Sequence, residues 1–166
     1  MTLLPILQFP DETLRKRSRA VTDVTGAVVE FSSRLTLMIQ ENKGCVGIAA
    51  PQVGDLRRII VVDVTGHKKA TETHGLLVMI NPVITGAQGS IVTREGCLSV
   101  PDFTGNVERR SALGVRYLTI DGGEAELETS GFEAVVLQHE IDHLDGVLFL
   151  DRIANVKRDL FKRKTY

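Results

Sequence analysis

Apolar residues at Val28, Phe31, Leu35, Met38 and Ile39 recur at intervals of three and four, the spacing of one helix face, and predict a helix from Thr25 to a stop at Gly44. A second helix is written where Phe132, Val135, Val136 and His139 share a side. Ser130 with Glu133 three residues later reads as its capping box, and Gly146 can close it. Between the two helices the period changes to that of strands. Residues 58–63 and 76–80 are short β-branched runs, the second expected to end at Asn81-Pro82, and Val83-Ile84 and Ile91-Val92 suggest two more strands around a turn at 86–90. Residues 113–120 and 124–129 flank Asp121-Gly122-Gly123, a hairpin signal. Asp11-Glu12 can cap a short helix through Leu14, and a short basic helix is expected from about Asn155, with Val156, Leu160 and Phe161 as its apolar side.

Two stretches carry no clear period. Residues 44–54 are a run of small side chains around a single amide, Gln52. They read either as a buried crossing or as a groove in which Gly47 lets a substrate backbone approach and Gln52 offers an N–H. Residues 66–75 are polar and read as a loop, so His67 and His74 within it are assigned no role.

Composition narrows the class. A chain of 166 residues with 43% hydrophobic and 25% charged positions is expected to fold as one globular domain over residues 1–166. The formal net charge of -1 gives no overall attraction to DNA or to anionic lipid. No apolar run approaches the ~20 residues of a membrane span, and the start lacks a basic leader and is interrupted by Pro5, so a cytoplasmic location is expected. Cys45 and Cys97 are then expected to stay reduced, and a reduced cysteine can serve a metal.

The chemistry is concentrated in Gln138-His139-Glu140-Ile141-Asp142-His143. Four residues of helix advance about 400°, so His139 and His143 project from one face and can meet one ion, while Glu140, about 100° round, stands beside the ion and is free to handle protons. A hydrolytic centre needs a third protein ligand and one open position. The chain follows the extended metzincin pattern as far as Gly146 but has Phe149 where the third His belongs, and no Glu follows Glu140, so the third ligand is expected upstream. Three readings stay open on these grounds: a specialised hydrolase, a general metallopeptidase, and a noncatalytic metal-binding protein, which would have no need of Glu140.

Three separate stretches, Cys45-Val-Gly-Ile-Ala-Ala-Pro-Gln52, Glu95-Gly-Cys-Leu-Ser99 and Gln138-His-Glu-Ile-Asp-His143, resemble in order the three motifs of the peptide deformylases. The resemblance covers nearly the whole chain. It implies an α+β fold in which mixed or antiparallel sheets pack around a central metal-binding helix, with a C-terminal helix. It implies a hydrolase acting in protein biosynthesis, which removes the formyl group from the N-terminal formylmethionine of nascent polypeptides and releases formate. Cys97, His139 and His143 become the metal ligands, a set soft enough for Fe²⁺ as the native ion, with Ni²⁺ or Zn²⁺ able to replace it. Glu140 becomes the general base, and Gln52 and the backbone N–H of Leu98 bind the developing oxyanion. Val46, Gly47, Gly96, Phe132, Val135 and Val136 are expected to line the substrate site, with Gly96 permitting an unusual backbone turn. The resemblance also extends to a contact of the basic C-terminal helix with the ribosome. Two positions depart from the family pattern: Cys45 stands at the head of the first motif where a Gly is usual, and Thr104 follows Pro101 where many relatives have an Arg.

Overall fold

The computed structural model describes residues 2–164. Helix α1, Gly26–Glu41, is followed by strands β1, Gly47–Ala49, and β2, Ile59–Val62. Five further strands come next: β3, Leu77–Gln88; β4, Ile91–Cys97; β5, Val100–Arg109; β6, Ala112–Leu118; and β7, Glu124–Ser130. Helix α2, Phe132–Leu144, the single turn α3, Val156–Asp159, and strand β8, Leu160–Lys162, complete the order. The strands form two antiparallel sheets, one of five in the order β1-β2-β3-β6-β7 and one of three in the order β4-β5-β8. This is the α+β arrangement that the resemblance implies.

Strand β2 shows how the layers assemble. Its four residues Ile59, Ile60, Val61 and Val62 are all fully buried, because successive side chains point to opposite faces and both faces are covered. Ile59 and Val61 pack with Val28, Leu35 and Met38 of α1, while Ile60 and Val62 pack with Val136, Leu137, Ile141 and Leu144 of α2. The polar side of α2 faces the other way, toward the three-stranded sheet. There Leu14, Cys97, Val100, Val107, Leu148 and Phe149 make a third apolar cluster.

Several sequence expectations need correction. Strand β3 does not end at Asn81-Pro82; the pairing with β6 slips there, between Ile80 and Val83, and resumes to Gln88. Asn81 adopts a φ of 52° and exchanges hydrogen bonds with both the N–H and the C=O of Val21, which holds the irregularity in place. Val83-Ile84 therefore continues β3, and Ile91-Val92 belongs to the other sheet, paired with Arg109 and Glu108 of β5, a strand that no sequence period announced. The Ser130/Glu133 capping box does not form. The N-cap of α2 is Gly131, at a φ of 68°. The Glu133 carboxylate accepts from the Thr129 hydroxyl and from the backbone N–H of His74, while the Ser130 hydroxyl donates to Glu72. Gly146 does close α2, at a φ of 74°. The C-terminal helix is only one turn long, and Leu160 and Phe161, expected on its apolar side, lie in β8.

Candidate metal centre

Two elements deliver the three candidate ligands. Helix α2 carries His139 and His143 one turn apart, their ring centroids separated by 5.1 Å at an interplanar angle of 72°. Cys97 is the last residue of β4 and pairs with Val100, so Leu98-Ser99 is the tight connection that turns the chain into β5. Cys97 Sγ lies 3.3 Å from His143 Nε2, and the ligand atoms of Cys97, His139 and His143 all fall within 4.8 Å of one another. A common ion 2.0–2.3 Å from each would hold such atoms about 3.5 Å apart, so one thiolate and two imidazoles fit a tetrahedral divalent ion with little rearrangement.

His139 is aimed by a chain of buried charges. Its Nδ1 is 2.8 Å from Glu95 Oε1, which leaves Nε2 for the centre. Arg109 donates to both Glu95 oxygens, at 2.7 and 2.9 Å, and to Asp142 Oδ2 at 2.7 Å; Arg152 closes the array by donating to both oxygens of Asp142. Burial alone would raise the Glu95 carboxyl, but the hydrogen bonds from Arg109 and His139 outweigh it and hold the group down at about 2. Gln138 fastens the same helix to the connection between β5 and β6, since its side chain both accepts from the N–H of Arg110 and donates to the C=O of Arg110. Sequence reasoning assigned no role to Glu95, Arg109, Asp142 or Arg152. Glu95 lies within the second motif, but nothing local connects Arg109 or Arg152 with it.

Glu140 is 3% exposed, and its Oε2 has no hydrogen-bond partner among the described residues. Burial pushes its carboxyl up to about 7, so it can bind or release a proton near neutrality. Gly47 of β1 lies against it: a Cβ there would stand 2.7 Å from Glu140 Oε1 and 2.9 Å from its Cγ. Glycine is required here by space, since its φ is not positive. Gln52 is oriented by the N–H of Ala49, which donates to its Oε1 at 2.9 Å. Its Nε2 is thereby turned toward Ser99 Oγ, at 3.1 Å, and Cys97 Sγ, at 3.4 Å.

A cavity of about 220 Å³ opens beside the ligands. Phe132, Val135 and Val136 of α2 line it together with Val46, Gly47, Gln52, Gly96, Leu98 and Glu140, so the structure brings the sequence-designated site residues to one place. His143 alone is enclosed behind them, at 1% exposure. Gly96 differs from expectation in one respect. It does not adopt a positive φ, and the irregularity is instead a slip in β4–β5 pairing between Glu95 and Cys97. Cys45 is also on the cavity wall. Its thiol donates to the C=O of Gly47 at 3.2 Å, and burial, with the nearby Glu140 charge, raises it to about 12, so it stays a neutral thiol rather than a ligand. His74, given no role from sequence, pairs with buried Glu133, and His67 stacks on Phe132 at 4.4 Å. Phe149, at the position that excluded a metzincin, stacks on His139 at 6.2 Å.

This geometry has close counterparts. The sequence model of the family described as Polypeptide deformylase matches residues 3–159. The peptide deformylase of Thermodesulfovibrio yellowstonii is 41% identical over 164 residues, covering 99% of this chain and 97% of the relative. That of Syntrophobacter fumaroxidans is 43% identical, covering 99% of this chain and 94% of the relative. The crystal structure of peptide deformylase from Thermotoga maritima superposes with a TM-score of 0.85 at 36% identity, covering 93% of this chain and all (100%) of that one.

Proposed function

The chain belongs to the polypeptide deformylase family, and from that premise we propose that the cavity beside α2 is where this metal-dependent hydrolase removes the formyl group from the N-terminal formylmethionine of new polypeptides. The observation that carries the assignment is the buried Glu140 carboxylate, with one oxygen unpartnered among the described residues, beside a Cys97, His139 and His143 cluster whose ligand atoms lie within 4.8 Å. A structural carboxylate in this position would have a donor, as Glu95 and Glu133 do.

Cys97, His139 and His143 would hold one divalent ion. When bound, it supplies Lewis acidity, polarising the formyl carbonyl and making a water acidic enough to lose a proton near neutrality. The remaining work belongs to the chain. Glu140 accepts the proton of the attacking water and delivers it to the amine nitrogen as the C–N bond breaks, so that formate and the free amino terminus leave with atoms balanced. Gln52 Nε2 and the Leu98 N–H donate to the oxygen on which negative charge develops. Phe132, Val135, Val136, Val46 and Leu98 form an apolar slot for the methionine side chain, whose burial contributes roughly 1.5–3 kcal/mol. Gly47 and Gly96 complete the wall of the cavity, and the side chain each lacks makes room for Glu140 and for Arg163 respectively.

Residues 1–166 act in this reading as one catalytic unit. The native ion is Fe²⁺, with Ni²⁺ or Zn²⁺ able to replace it, since thiolate and imidazole donors suit all three. A cytoplasmic enzyme meeting nascent chains is supported by the absence, among the described residues, of any helix long and apolar enough to cross a membrane. Ribosome docking through exposed Lys157, Lys162 and Lys164 around α3 is supported by their shared charge. Replacing all three by Ala should weaken co-sedimentation with ribosomes in a salt-dependent way, and unchanged co-sedimentation would remove the docking.

Formate release from a formyl-methionyl peptide by protein reconstituted anaerobically with Fe²⁺ tests the central assignment. Release of internal peptide fragments instead, or no turnover, would sink it. For the ligand set, Cys97→Ser should purify with little metal and Cys45→Ser with the full complement. Equal retention in the two variants would overturn the choice of Cys97.

A further inference from the structure

The cavity is not closed by the three motifs alone. Strand β8 pairs with β5, setting Phe161 opposite Thr104 and Lys162 opposite Phe103, and the register continues in a hydrogen bond from the Arg163 N–H to the C=O of Asp102 at 2.8 Å. Arg163 therefore leaves the end of β8 beside Gly96, the residue that precedes the ligand Cys97. Its guanidinium lies over that glycine: a Cβ at Gly96 would be 2.5 Å from Arg163 Nη2 and 3.6 Å from its Cζ. Thr104, whose Cγ2 would be 3.5 Å from the same point, offers no charge there, and the strand paired with it supplies one.

Arg163 is one of three cations on the cavity wall, with Arg94 and Lys43. Arg94 is fixed, its guanidinium 3.6 Å over the ring of Phe161 and its Nε donating to Asn106. The two carboxylates of the wall do not answer these charges, since Glu95 is committed to Arg109 and His139 and Glu140 faces the reaction centre. Among the described residues no ion pair involves Arg163. An exposed guanidinium that reaches the wall of a substrate cavity and has no carboxylate partner among the described residues is placed to take one from the ligand.

We propose that Arg163 is a substrate-contact residue that gives the cavity a preference for formyl-methionyl peptides with an acidic side chain at their second or third residue. The inference rests on the deformylase reading of the cavity. An extended substrate advances about 3.3 Å per residue, so with the formyl group at the ligands these are the positions that pass the rim rather than the methionine slot. The charge acts on binding and leaves the chemical step alone, so its signature is in KM.

The test uses the metal-loaded enzyme and two matched formyl-methionyl tetrapeptide series, with Asp, Ala or Lys at the second residue in one and at the third in the other. Wild type should show a lower KM for one Asp series than for its Ala and Lys counterparts, at similar kcat. Arg163→Ala should raise that KM about fivefold and leave kcat in place, Arg163→Lys should restore part of it, and Arg163→Glu should turn the preference toward Lys. Arg17→Ala, which removes the same charge from an exposed position away from the cavity, controls for the overall field. The inference is overturned if Arg163→Ala leaves the Asp-to-Ala ratio within twofold of wild type, or if Arg17→Ala lowers it equally. Calorimetric titration of the same peptides into metal-loaded Glu140→Gln reads the preference without turnover. Failure of all formyl-methionyl peptides to be hydrolysed by wild type would count against the deformylase reading, while a missing charge preference in that titration counts against Arg163 alone.

Discussion

Helices α1 and α2 cover opposite faces of one sheet and are built on opposite plans. Of the 16 residues of α1, the buried ones are Val28, Ser32, Leu35 and Met38, an apolar stripe whose lone polar member donates its hydroxyl to the C=O of Val28. In α2 every residue from Glu133 to Leu144 is buried, and half of that run is polar: Glu133, Gln138, His139, Glu140, Asp142 and His143. Glu133, Gln138, His139 and Asp142 are tied to Thr129, Arg110, Glu95 and Arg109 respectively. Among the described residues, Glu140 Oε2 and His143 Nδ1 are the buried side-chain atoms of this helix left without a partner. The contrast teaches how to read a buried polar group. A neutral orphan such as the Ser18 or Thr93 hydroxyl costs the scaffold little, whereas an orphaned carboxylate oxygen beside a candidate ligand cluster, as in Glu140, marks where the scaffold has been left open for chemistry.

The comparison breaks hardest at Glu140. Glu140→Gln should keep the metal and the fold while lowering kcat by a factor of at least about 10³, because both proton transfers lose their carrier; metal analysis beside steady-state kinetics checks it, and a metal-free variant would contradict the role. Next come the satisfied groups. Arg109→Leu strips buried Glu95 of its one arginine partner and leaves Asp142 with Arg152 alone, and should cost about 3–5 kcal/mol in denaturant unfolding. The apolar counterpart in α1, Leu35→Ala at a fully buried site, should cost about 2–5 kcal/mol while leaving turnover per folded molecule unchanged. A loss of kcat in that variant would mean that α1 participates in the site.

Acid tests the strand β4 carboxylate that aims His139 of α2. The Glu95 carboxyl is held near 2 in the folded protein against an ordinary value of 4.5, so the unfolded chain takes up the proton first. The stability it contributes is complete above about pH 5 and is lost as pH falls from 4.5 toward 2, to an extent of roughly 3 kcal/mol. Urea melts at pH 7, 5 and 3 should show this loss, and Glu95→Gln should flatten it. The smallest effect expected is at the slot: Val136→Phe should lower kcat/KM about tenfold for formyl-methionyl and much less for formyl-alanyl substrates, with metal content unchanged. Equal losses would place Val136 in the core alone, where it also packs with Leu137 and Val62.

The same contrast explains what could be read from sequence. α1 was legible because its burial is one-sided and apolar. α2 was legible through its histidine spacing, and the ligands, Glu140 and Gln52 through motifs that are local in the chain. Strand β5 was not, because its inward positions Gly105, Val107 and Arg109 include a glycine and a charge. A buried Arg109 reads as a surface residue until Glu95 and Asp142 are brought beside it. Strand β8 was hidden for a related reason: Leu160 and Phe161 among basic residues suit a helix equally well, and pairing with β5, more than 50 residues away in sequence, decides between them. Glu133 was misread as a cap because its tertiary donors, Thr129 and His74, outcompete the Ser130 backbone.

The contact between Gly47 and Glu140 constrains how this protein can vary. Position 47 contributes no side chain to the slot, yet any replacement of the glycine puts an atom against the carboxylate that moves the proton. A mutational library that alters one position at a time would score residue 47 as frozen and attribute the loss to the groove. A library that varies 47 and 140 together would recover no compensating pair, since a larger residue on β1 makes the Glu140 side chain shift or shorten, and either change displaces the base.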